Sequence, residues 1–181
     1  MRFQSPKNRL HHFFAGMSEH VFQTRLGVVD PPLTDYITNM LMRFIRSDHP
    51  QRVLSRRGSD LHDLSRILWE TDQQDGPQDR RQVHRLIGDM ALFWTGLFPE
   101  SLESGSTQQT PGQFSAYCSQ GKRAYLIASK LDITDTEDAP GDVLQRLAEQ
   151  FEICATGLRT IRQQWKESTD TPGLPPEMLL D

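Results

Sequence analysis

From Leu86 to Pro99 the chain runs fourteen residues with a single charge, Asp89, set among Ile87, Met90, Leu92, Phe93, Trp94, Leu97 and Phe98. A stretch so apolar and so long reads as a helix in the middle of a core. The one ionisable group inside it needs a partner, because an unpaired charge away from water is expensive. The segment is also too short for a bilayer, which takes about 20 apolar residues. No apolar run long enough to span one occurs elsewhere in the sequence.

Helical periodicity extends outward from this segment, and no stretch shows the alternation of a strand. A first helix is predicted from about His11 to Leu26, with Phe14, Met17, Val21 and Phe22 inward and Gly27 as its stop. The second has the clearest pattern. Asp30 suits an N-cap, and Pro31 and Pro32 suit a first turn. Leu33, Tyr36, Ile37, Met40, Leu41, Phe44 and Ile45 then recur at helical spacing. A polar, arginine-rich connection leads to a third helix, about Ser59 to Gln73, with Leu61, Leu64, Ile67 and Leu68 inward.

After the Gly76-Pro77 break a fourth helix covers about Gln78 to Phe98, ended by Pro99. The composition of Ser101 to Gly112 is that of a loop. A fifth helix, about Gln113 to Leu131, is rich in small residues. The sixth, about Pro140 to Lys166, carries Leu144, Leu147, Phe151, Cys154, Leu158, Ile161 and Trp165 at alternating three- and four-residue steps. That spacing suits a long antiparallel neighbour or a coiled-coil-like seam.

The fold class expected is therefore all-α: one bundle of about six helices over residues 1–166, with 167–181 as a disordered tail. At 181 residues one domain can bury enough surface to stand without disulfides or metals. The fourth and fifth helices are expected to pack most closely. His84, Gly88, Ala91 and Thr95 make one stripe, and Gly121, Ala124 and Ala128 offer a match to it. Mid-helix glycine costs about 1 kcal/mol against alanine, so Gly88 and Gly121 call for a packing reason.

Several functions are disfavoured by composition. A net charge of -4 argues against a general nucleic-acid binder. Arg43, Arg46, Arg52, Arg56 and Arg57 do cluster, yet no aromatic stacking partners lie between Pro50 and Leu68, so a solvated basic loop is expected there. Cys118 and Cys154, both in apolar helical patterns, read as reduced core thiols. The N-terminus lacks the apolar stretch of a signal peptide, which makes the cytoplasm the expected location.

Candidate chemistry is sparse. Six histidines are present, but none pairs with another, or with a preceding glutamate, at metal-ligand spacing along a helix, and no metal site is expected. His84 and Asp89 are five residues apart, a rotation of about 140°, and face different ways. Arg85 is one turn before Asp89, so an Arg85–Asp89 ion pair is the favoured reading, with or without a residue from another helix. Glu149 and Glu152 flank the last seam as surface carboxylates. No phosphate loop, dinucleotide fingerprint, nucleophile elbow or CxxC pair occurs, and no catalytic residue is assigned.

Two function classes remain. The first is a non-enzymatic helical bundle that acts through protein–protein contacts as a homo-oligomer, most simply a homodimer. It rests on the seam, the many large apolar residues and the lack of a catalytic constellation. The second is a small-molecule or cofactor-binding protein, enzymes included, with its ligand between the first, fourth and fifth helices. There His20, His84, Asp89, Tyr117 and Tyr125 would line the site. The sequence specifies no cofactor. The two classes separate on whether those five side chains converge.

Overall fold

The computed structural model describes residues 6–46, 77–103, 112–131 and 139–169. They form an all-α bundle, with no strand among the described residues. Helix α1 spans Pro6–His20 and continues into a π-helical turn, Val21–Arg25. The elements that follow are α2, Pro31–Arg46; α3, Pro77–Leu97; α4, Pro99–Glu103; α5, Gln113–Lys130; α6, Gly141–Glu149; and α7, Phe151–Thr169. The third helix expected from sequence, 59–73, lies outside the described residues, as does most of the tail expected over 167–181; its first three residues, 167–169, instead belong to the last helix.

Local chemistry accounts for most of the ends. Asp30 caps α2 as expected: its Oδ1 accepts from the Leu33 N–H at 3.2 Å. Gly27 closes the segment before it with φ +67°, a left-handed conformation that glycine adopts without steric cost. Three further boundaries differ from the sequence reading. The first helix starts at Pro6, five residues earlier, because proline is well tolerated in a first turn. Its last turn is π-helical, the Leu26 N–H reaching Val21 O at 3.1 Å.

Pro99 ends one helix but also starts the next, α4. Arg162 braces that corner from α7: it donates to Leu97 O, pairs with Glu100, and lies 5.1 Å over the Phe98 ring. The sixth helix is two. Gln150 leaves helical geometry (φ -109°, ψ 26°) between α6 and α7, though its N–H still bonds Arg146 O and its O still accepts from Cys154 N–H.

The expected pairing of the fourth and fifth helices is present, as α3 on α5, the most extensive contact between helices in the described bundle. They run antiparallel, Gly88 beside Tyr125 and Ala91 beside Gly121. A Cβ on Gly121 would stand 2.5 Å from the Phe151 ring and 2.9 Å from Ala91 Cβ, so only hydrogen fits where α3, α5 and α7 meet. The α6–α7 pattern is consumed inside the chain. Leu144, Leu147, Phe151, Cys154, Leu158 and Ile161 are all essentially buried, and Trp165 meets Phe14 edge-on at 5.1 Å. Its neighbours are helices of the same bundle, so this seam is not an open surface for another chain.

Candidate functional site

Asp89 projects from the middle of α3 and is 3% exposed. Four side chains from three helices surround its carboxylate. Tyr36 of α2 and Tyr125 of α5 both donate their hydroxyls to Oδ1, at 2.6 and 2.8 Å. Arg43, two turns after Tyr36 on α2, donates Nη2 to Oδ2 at 2.8 Å. Arg85, one turn before Asp89, has Nε 4.0 Å from Oδ2 and donates to the Tyr36 hydroxyl at 3.0 Å. The Tyr36 ring also carries both guanidinium groups, their Cζ atoms 5.5 and 5.3 Å from its centroid.

Gly88 makes this geometry accessible. A Cβ there would stand 2.6 Å from Tyr125 Cδ1. Without one, the Tyr125 ring lies against the α3 backbone and its hydroxyl reaches the carboxylate of the next residue. The small-residue stripe read as packing alone thus also admits a polar contact.

The electrostatics of the cluster oppose proton transfer near neutrality. Burial, reinforced by the neighbouring Asp89 charge, pushes the Tyr36 phenol well above its usual range, with Arg85 opposing. Tyr125 is pushed the same way, first by burial and then by Asp89. Both phenols remain protonated donors, and both carboxylate oxygens are occupied. What this arrangement does chemically is bind three helices into one polar junction. The thiols are equally quiet: burial pushes Cys154 up to about 12 and raises Cys118 as well.

Of the five candidate residues, the structure brings together two, Asp89 and Tyr125. His20 is exposed, its Nδ1 3.4 Å from Thr24 Oγ1 at the end of α1. His84 and Tyr117 are buried but neither bonds Asp89. The junction accordingly joins the second, fourth and fifth helices of the sequence reading, and the first contributes no side chain to it. The Arg85–Asp89 relation stands, extended by Tyr36, Arg43 and Tyr125.

Tyr36 and Arg43 were missed as site residues. One was counted with the apolar face of its helix and the other with a basic stretch. Their signal was the seven-residue separation, which sets both on one line of α2. Arg43 turns inward to Asp89; Arg52, Arg56 and Arg57 lie outside the described residues. Glu149 and Glu152 have separate partners, Gln145 and Lys122 respectively, and do not act as a carboxylate pair.

Among the described residues, no group of three or more His, Cys, Asp or Glu is placed to hold a metal ion. No described helix is long and apolar enough to cross a membrane. No protein-family model, curated protein or solved structure matches the chain.

Proposed function

We propose that this chain is a non-enzymatic helical bundle that works through protein–protein contacts and associates with itself. The observation that carries the reading is the enclosure of Asp89, which is buried and bonded through both oxygens within its own chain. The most chemically suggestive group in the sequence spends both oxygens on its own chain, through Tyr36, Tyr125 and Arg43. A ligand that takes the place of one of these donors leaves a buried phenol or a guanidinium without its acceptor. A junction closed in this way supports a rigid frame whose function lies on its surface. Because the α6–α7 seam is buried, that surface has to be sought on another face.

Native mass spectrometry of the purified protein, alongside sedimentation equilibrium, tests the reading. The expected result is a dimer mass with nothing else retained. A monomer at every concentration, carrying an organic or metal adduct, would overturn it in favour of ligand binding.

A further inference from the structure

Helix α2 is buried on nearly every side. Thr34, Thr38 and Met42 are as enclosed as Leu33, Ile37 and Leu41, which leaves only Pro31, Pro32, Asp35, Asn39 and Arg43 exposed among its described side chains. Asp35, Asn39 and Arg43 follow at four-residue steps, so they form a single line along the helix. That line has an acid at one end, an amide in the middle and a base at the other. Residue 39 lies midway between its charged ends, about 6 Å of helical rise from each.

A line built this way is complementary to itself. If two copies lay their α2 helices antiparallel about a two-fold axis at residue 39, Asp35 of each chain would face Arg43 of the other, and the two Asn39 side chains would meet at the axis. Reciprocal pairing of that kind is the mark of an isologous interface.

We infer that the exposed Asp35–Asn39–Arg43 line of α2 is the contact through which two copies of this chain associate. The inference rests on the self-association proposed above and names its surface. Two further features support it. Arg43 is held in place before any partner arrives: one of its five N–H donors is spent on Asp89 and its guanidinium lies over Tyr36. Its side chain is still 42% exposed, so a fixed fork with unused donors faces solvent, and such pre-organisation lowers the cost of binding a carboxylate.

Asp35, by contrast, forms no ion pair or hydrogen bond among the described residues. Among the described residues this exposed carboxylate has no counter-charge. His11 of α1 lies 3.3 Å from Asn39 and marks the near edge of the face.

The test uses the full chain and two substitutions. Asn39→Cys places a thiol on the proposed axis, whereas Thr156→Cys places one on the exposed side of α7 as a control. Under mild oxidation Asn39→Cys is expected to form a covalent dimer and Thr156→Cys is not. Asp35→Lys is expected to raise the dimer dissociation constant about tenfold or more, with a steeper loss at low salt, while helicity and thermal midpoint hold. A wild-type dimer that persists in Asp35→Lys, with no Asn39→Cys crosslink, would overturn this surface and leave self-association standing. A wild-type chain that stays monomeric at all concentrations would remove both.

Discussion

The Asp89 junction and the Arg146 clamp are built on opposite charge plans. In the first, one carboxylate is shared by two phenols and two guanidinium groups at the centre of the bundle. In the second, one guanidinium is shared by two carboxylates at the rim. Arg146 of α6 pairs with Asp30, the α2 cap, at 2.6 Å, and with Asp142 one turn away at 2.9 Å. Both tie helices together across large sequence distances. They differ in solvent: Asp89 is 4% exposed at its side chain, whereas Asp142 is 68% exposed. At the rim, water replaces a lost partner at little cost. At the centre it cannot reach, so the same number of contacts has a much larger effect on stability.

That contrast can be broken at several points. Gly88→Leu should have the largest effect, since its side chain must occupy the space of a Tyr125 ring that Asp89 holds in place. Loss of the cooperative thermal transition is expected. An unchanged transition would show that the α3–α5 approach is looser than described. Asp89→Asn comes next. It removes the buried charge while keeping shape, and the expected cost is about 3 kcal/mol in urea unfolding, at the low end for a broken buried pair because Arg43 is partly hydrated.

Tyr125→Phe keeps the ring and removes one bond to a charged acceptor, an expected loss of about 1.5–2 kcal/mol by the same measurement. Asp142→Asn should fall below about 0.5 kcal/mol, the range of exposed pairs. If the Asp142 and Asp89 substitutions cost alike, burial is not what separates the two clusters.

Alkaline titration sharpens the same comparison. The folded state holds Tyr36 and Tyr125 protonated above the usual phenol value, so each contributes stability that is complete below about pH 10. As pH rises past that value the unfolded chain loses protons that the folded chain keeps, and stability falls. Tyr36→Phe and Tyr125→Phe should each flatten this alkaline slope. At the rim the sign is opposite: Arg146 holds the Asp142 carboxyl below its usual range, a contribution present at neutral pH and lost as pH falls through that lowered value. Because Asp142 is so exposed, this acid limb should be shallow beside the alkaline one.

Much of the frame was legible because it depends on neighbours within a turn or two. The cap at Asp30, the prolines after it, the stop at Gly27 and the inward face of α2 all follow from rules that act over four residues. The core character of residues 87–97 and the close approach of Gly88 and Gly121 could be read in the same way, whereas Leu86 at the start of that apolar run is exposed. Two of the displaced boundaries lie where no local rule marks them. Arg162 from α7 braces the Pro99 corner, and the bend at Gln150 follows no local breaker.

The junction itself was only half visible. Arg85 and Asp89 share a helix face, so their relation could be read from spacing alone. Tyr125, Arg43 and Tyr36 reach Asp89 across 36, 46 and 53 residues of chain, and no local rule relates them. His20 and Tyr117 were reasonable companions for Asp89 by residue type, but helix placement set one at the surface and the other elsewhere in the interior. By itself the sequence determined that the chain would be helical, that its periodic apolar positions would turn inward, and that Asp89 would need a partner. Periodicity and desolvation act on every chain in the same way. Which side chains would answer Asp89 was decided only when α2, α3 and α5 packed, because hydrogen-bond partners are set by distances between helices.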